Sequence, residues 1–175
     1  MAYNFKPELS LIQSQTASSS ASIVFTSGIS SNFENYVIKF RNVVAATNAV
    51  NLNLDFSVDG GSTYLTSGSY GIQGATLTTI SRNGANGGAN TLVLLCSSTA
   101  TSCINGELFL SNLQDASNHI GYFSGVHINS SGNIAQMVTG VRNYNNTASV
   151  NCLKISFSSG NIASGTFILY GVNES

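Results

Sequence analysis

The sequence predicts an all-β protein: two packed antiparallel sheets, jelly-roll-like, with about eight to eleven strands and almost no helix. Three observations carry this. Side chains alternate apolar and polar along most of the chain. Short clusters of Gly, Ser, Asn and Asp, such as "DGGS", "NGANGGAN", "NSSGN" and "NYNNT", cut the alternating runs at strand-like intervals. No segment repeats apolar residues at three and four for long enough to lay one face of a helix on a core; "NLQDASNHIGYF" offers a single turn at most.

Residues 1–9 read as an N-terminal arm, which holds the only proline, Pro7, and residues 10–175 as one β-sandwich domain. The first candidate strands are "SLIQSQ" (10–15) and "ASIVFTS" (21–27). "YVIKFRNVV" (36–44) alternates Tyr36, Ile38 and Phe40 with Lys39 and Arg41. "VNLNLDFSV" (50–58) sets Val50, Leu52, Leu54, Phe56 and Val58 against Asn51, Asn53, Asp55 and Ser57, the clearest half-buried strand in the chain. Closed by "AATNA", these two runs form a hairpin in which Val44 faces Val50, Ile38 faces Phe56, Phe40 faces Leu54 and Lys39 faces Asp55. Further strands are expected at 75–81, 91–97, 106–112, 119–128, 134–143, 149–157 and 165–172. The last two, joined by "SSGNIASG", read as a terminal hairpin with Gly160, Asn161 and Gly165 as permissive backbone positions and Phe167 and Leu169 on the core face.

Composition narrows the function. Of the 175 residues 7% are charged and 42% hydrophobic, so the chain buries a core while Ser, Thr and Asn supply its polarity. Six Lys and Arg against seven acids leave no basic stripe for a phosphate backbone, which argues against nucleic-acid binding. No apolar run approaches the ~20 residues of a spanning helix, so membrane insertion is not expected, and "MAYNFKPELSL" lacks the pattern of a signal peptide.

Reactive constellations are sparse. "GYFSG" (121–125) places Ser124 one position late for a nucleophile elbow, and "NGANGGAN" lacks the ending of a phosphate loop and reads as flexible turn. His119 and His127 stand eight apart without partners at ligand spacing, so no metal is expected and both read as partly exposed side chains. Asp59 in "VDGGS" suits a turn whose carboxylate bonds the backbone ahead of it. Cys96 and Cys103 flank "SSTATS"; they bridge if their β-carbons come within ~4 Å and are otherwise buried thiols. No catalytic or cofactor-binding residue is assigned. Tyr64, Tyr70 and Tyr144 fall in expected loops, where they either pack locally or stack on a sugar or a partner protein.

Two phrases carry a resemblance: "S-x-x-A-S-I-x-F-T-x-G-I" at 18–29 and "S-S-G-N-I-x-S-G-T-F-x-L-Y-G" at 158–171. With "LNLDFSVDGGSTY", they make residues 10–64 and 149–172 resemble a family of small proteins encoded in tailed-bacteriophage genomes; "NGELFLSN" (105–112) matches more loosely. The resemblance implies a β-sandwich component of the virion, displayed on the particle's exterior and contacting other capsid or tail proteins, with no active-site residues to carry over. A capsid decoration subunit or head appendage, in repeated symmetric copies such as trimers, is the favoured expectation. A tail-fibre or receptor-binding module gripping host glycan is the alternative. A polysaccharide hydrolase using Glu107 and Asp115 comes third.

Overall fold

The computed structural model describes residues 8–65, 68–76, 79–86, 90–115, 119–143 and 148–173, with backbone only at 68–76, 79–86, 90, 137–139 and 141–143. Twelve strands and no helix lie among the described residues. Eight strands make two four-stranded layers. One layer has the order β1 (Glu8–Ser20), β12 (Ile162–Asn173), β3 (Asn35–Ala45), β8 (Ile104–Ser111). The other has the order β2 (Ile23–Phe25), β11 (Cys152–Phe157), β4 (Val50–Ser57), β7 (Asn90–Cys96). Every step along the chain among these eight changes sheet except the one from β4 to β7, which pair with each other, and first pairs with last, second with second-to-last. That order is a jelly roll. Two hairpins, β5 (Gly68–Thr76) with β6 (Thr79–Asn86) and β9 (Ile120–Ile128) with β10 (Ile134–Asn143), extend the first layer past β8 to eight strands.

The expected hairpin of 36–44 with 50–58 does not form. β3 pairs with β12 and β8, and β4 with β11 and β7. Lys39 therefore faces Glu107, and Asp55 faces Lys154. The expected terminal hairpin fails in the same way, because β11 and β12 belong to opposite layers. Both links are short, and four residues at ~3.3 Å each reach across the ~10 Å between packed sheets as easily as they turn back within one. Hydrogen bonds hold the crossings: Ala46 N–H donates to Asn161 O at 2.9 Å, and Ser158 N–H to Asn51 O at 2.8 Å. The single strand expected at 75–81 is instead the end of β5 and the start of β6, and β6 takes up half of the glycine-rich stretch read as a loop.

The core fills the space between the inner faces. Phe25, Leu54, Phe56 and Ile155 meet Tyr36, Ile38, Phe40, Leu108, Phe123, Phe167 and Leu169, all essentially without solvent contact; each such side chain contributes about 1.5–3 kcal/mol of burial. Phe40 sits edge-on to Phe123 and to Phe167, with centroids 5.4 Å apart in both pairs. The Phe123 ring lies over the facing pair Gly106 and Gly125, where a Cβ on Gly125 would stand 2.5 Å from the ring's Cζ. Glycine is required there by the ring and by the facing strand, since a Cβ on Gly106 would also stand 2.6 Å from Ser124 O and one on Gly125 2.7 Å from Asn105 O. At Gly165 the backbone itself decides: φ is +133° where β12 bulges against β3, and a Cβ would meet Val43 Cα at 2.7 Å. Tyr36 closes one end of the core, its hydroxyl donating to Ser30 O at 2.6 Å and accepting from Ser30 N–H at 2.8 Å.

The hairpin β9–β10 curls the large sheet around the end of β7. Ser130 N–H donates to Leu95 O at 2.9 Å, and Cys96 bridges to Asn129. Asn129 Oδ1 shapes the hairpin turn by accepting from Ser131 N–H and Asn133 N–H, both at 3.0 Å. On the inner face His127 Nε2 lies 3.1 Å from Leu94 O.

Candidate interaction surface

Of the three tyrosines singled out in the sequence, Tyr64 is tied down locally. Lys154 Nζ sits 3.8 Å from its ring centroid and 3.0 Å from Asp55 Oδ2, and its hydroxyl is 3.9 Å from Cys152 Sγ. Burial, followed by the bond to Cys152, pushes the Tyr64 hydroxyl up to about 12. Tyr70 belongs to β5 and not to a loop, and its side chain lies outside the described residues, as does the whole of Tyr144.

The remaining polar groups also have structural partners. Asp59 Oδ1 accepts from Thr63 N–H at 2.9 Å and Ser57 Oγ at 2.7 Å, and Oδ2 accepts from Thr63 Oγ1 at 2.7 Å. These bonds, those from Thr63 foremost, lower its carboxyl to about 2 and fix the turn expected at "VDGGS". Both histidines are buried, contrary to the expected partial exposure. His119 precedes β9, its nitrogens 2.6 Å from Asn112 O and 3.0 Å from Ala148 O, so it ties two links at one end of the sandwich. Cys96 is a buried core thiol, Cys103 a half-buried one beside Asn105, and both are free. Among the described residues no three of His, Cys, Asp and Glu gather as a metal site. No helix among them is long and apolar enough to cross a membrane.

The feature that stands out is a contrast between the two outer faces. The small sheet presents Asn51, Asn53 and Asp55 from β4 with Lys154 and Ser156 from β11, the polar half of the alternation. On the large sheet the outward half is polar at Thr166, Arg41, Asn105 and Ser124 but carries an apolar band toward one end. A cross-strand row runs Leu11, Tyr170, Val37, Phe109, Tyr122 over β1, β12, β3, β8 and β9. Leu11 is 64% and Tyr122 51% exposed. Phe109 and Tyr122 stack with centroids 5.6 Å apart and planes at 27°. Leu9, Ile120 and Val126 continue the apolar surface on either side, all exposed. Ile168 and Val172 are nearly buried yet stand outside the core cluster. Beside the row Lys39 Nζ is 3.2 Å from Glu107 Oε1 and 5.8 Å from the Tyr170 ring centroid, and Arg41, two residues further along β3 in the same phase, is exposed. Solvent-facing strands have no use for such a surface, and contiguous exposed apolar patches mark interaction sites.

A second feature lies at the end of the sandwich near His119. A depression of about 430 Å³ is lined by Ser31, Phe33, Glu34, Asn35, Asn112, Gln114 and Asp115. Glu107 is not among them; paired with Lys39 on the outer face, it shares no pocket with Asp115. Neither the depression nor the apolar row is anticipated in the sequence reading. The row does leave a trace there: Phe167-Ile168-Leu169-Tyr170 is an unbroken apolar run, the pattern of a strand covered on both faces. No family model, curated protein or solved structure matches the chain.

Proposed function

We propose that this protein is a non-enzymatic structural component of a bacteriophage particle, located in the virion and displayed on its surface as a capsid decoration subunit or head appendage. One observation supports this reading above the others. A jelly roll whose small sheet turns Asn51, Asn53 and Asp55 outward and whose large sheet turns out an apolar row from Leu11 to Tyr122 offers one side to a covering neighbour and the other to water. The resemblance of residues 10–64 and 149–172 to tailed-phage proteins names the setting. In that setting the protein binds other virion proteins, and shape and apolar area, without a cofactor, carry the contact.

The test is to purify particles by density gradient, quantify this chain by mass spectrometry and locate it by labelled antibody in electron micrographs. Co-purification in fixed stoichiometry with the head is the expected result. A chain found only in the soluble lysate overturns the reading, and labelling of the tail tip moves it to the receptor-binding alternative. One observation favours that alternative: the end depression sets the Phe33 ring beside Asn, Gln and carboxylate side chains, the chemistry that holds sugar hydroxyls. Glycan-array binding that disappears in Asp115→Ala supports it, and an array without signal removes it.

A further inference from the structure

We propose that the outer face of the eight-stranded sheet docks an acidic protein surface, one that brings apolar side chains to the band and carboxylates to the basic positions beside it. The reading above supplies only the source of such a partner, another virion protein. The binding itself is read in solution, whether or not the chain is found on particles.

Charge selects this occupant. The strand registers set Lys39, Arg41, Arg82 and Arg142 in the outward phase of the large sheet, four of the chain's six basic residues, with Glu107 as the single acid in that phase. The chain as a whole carries a charge of -1, because its other acids lie elsewhere: Asp55 on the small sheet, Asp59 in the turn that follows, Glu34 and Asp115 at the end depression. Glu107 is already taken by Lys39 at 3.2 Å, which leaves no acid in this phase for the three arginines.

Their placement frames the apolar row. Lys39 and Arg41 follow Val37 at two-residue steps along β3, and Arg82 stands in the cross-strand row of Lys39, reached through Glu107, Ser124, Val138 and Gln73. Arg142 lies on the other side, two residues past Gly140, which faces Tyr122. Two residues along a strand span ~7 Å, so a surface seated on Tyr170, Phe109 and Tyr122 reaches basic positions on both flanks. An apolar centre inside a charged rim is the anatomy of a protein interface, and guanidinium groups hold carboxylates through two parallel bonds. A nucleic acid would need its phosphates met along a continuous basic path, and here the apolar row divides the basic positions. A second copy using the same face would set arginine against arginine.

The row from β1 to β9 covers four strand spacings, ~19 Å, the length of a helix of ~13 residues. The probe is therefore a fluorescein-labelled peptide of that length with Leu on one face and Glu elsewhere. It is compared with a counterpart carrying Lys for Glu, one carrying Ser for Leu, and an oligothymidylate, and anisotropy is read against the full chain. The Glu and Leu peptide should bind, added salt should weaken it, and the other three should bind about tenfold less tightly or worse. Arg41→Glu and Tyr122→Ser should each weaken the binding, and Ser156→Glu on the small sheet should leave it unchanged. Circular dichroism checks that each variant folds; should one misfold, Arg41→Gln, or Leu11→Ser on the edge strand, gives the same reading. A Glu and Leu peptide that fails to bind, that binds no better than its Lys counterpart, or that ignores Arg41→Glu overturns the proposal. Oligothymidylate binding of equal strength does so as well. So does a multimer, read by light scattering, that Tyr122→Ser returns to single chains, since a second copy then covers the face.

Discussion

The two sheets of this sandwich obey the same alternation on their inner sides and part company on their outer sides. On β4, Asn51, Asn53 and Asp55 alternate with core residues, and the strand advertises which half faces water. On β12, Ile168, Tyr170 and Val172 occupy the corresponding half and are themselves mostly covered by their neighbours. Both sheets belong to one chain and one core, so neither solvent nor overall composition explains the difference. A period-two pattern reports burial, and burial by a partner leaves the same mark as burial by the core.

The largest effect should come from the shared inner side. Phe123→Ala removes a fully buried ring that packs on Phe40 and fills the hollow over Gly106 and Gly125, and should lower stability by about 3–5 kcal/mol in urea unfolding. Equal losses of solubility and stability would follow, since this ring props up the platform that carries the apolar row. Gly125→Ala overfills the same hollow and should cost about 1–3 kcal/mol. A neutral result for Gly125→Ala would mean that both the Phe123 ring and the β8 backbone at Asn105 O give way, and the large sheet would then be no firmer than the small one.

Next comes a pH effect confined to the large sheet's junction with β7. Burial lowers His127 below the ordinary imidazole value of about 6.5, outweighing the bond to Leu94 O. Its Nδ1 has no hydrogen-bond partner among the described residues. The unfolded chain therefore takes up the proton first. The contribution of His127 is fully present above about pH 6.5 and declines as pH falls from there toward the folded value. Melting temperature should drop on acidification, and His127→Gln, which keeps a donor for Leu94 O, should flatten that drop. An unchanged slope in the variant would place the acid sensitivity elsewhere.

The smallest effects belong to the two outer ion pairs. Lys39 with Glu107 and Lys154 with Asp55 are both partly solvent-exposed, so a double-mutant cycle on either should return no more than about 1 kcal/mol. Lys154 also covers the Tyr64 ring, so its pair should measure the stronger of the two. A reversed order would mean that the apolar row shields Lys39 and Glu107 from water even in the single chain.

Strand positions were legible in the sequence because alternation marks an inward face wherever it occurs. Strand neighbours were not. Lys39 and Asp55 looked like partners because opposite charges favour facing positions, and the structure satisfies that rule twice with other residues, Glu107 and Lys154. A four-residue link carries no sign of whether it turns back or crosses, so the jelly roll's repeated changes of sheet are invisible in local sequence. β5 escaped notice because "GSYGIQGAT" offers two large apolar residues among glycines, too few to show a period. The buried histidines were misjudged because their partners are backbone carbonyls, Asn112 O, Ala148 O and Leu94 O, which no residue type announces. The apolar row was written in the run at 167–170, but it emerges as a surface only once β1, β3, β8 and β9 are laid beside that strand.

The pairing of β1 with β12 sets a timetable for biosynthesis. Asn161 bonds Ser19 across 142 positions, so at ribosomal speeds of ~5–20 residues per second the first strand waits on the order of ten seconds for its partner. Throughout that interval the nascent polypeptide holds an unmatched ribbon edge, a hazard for clumping between neighbouring polysomes. Its serines and glutamines, "SLIQSQTASSS", keep that waiting edge wet until the last strand emerges to claim it.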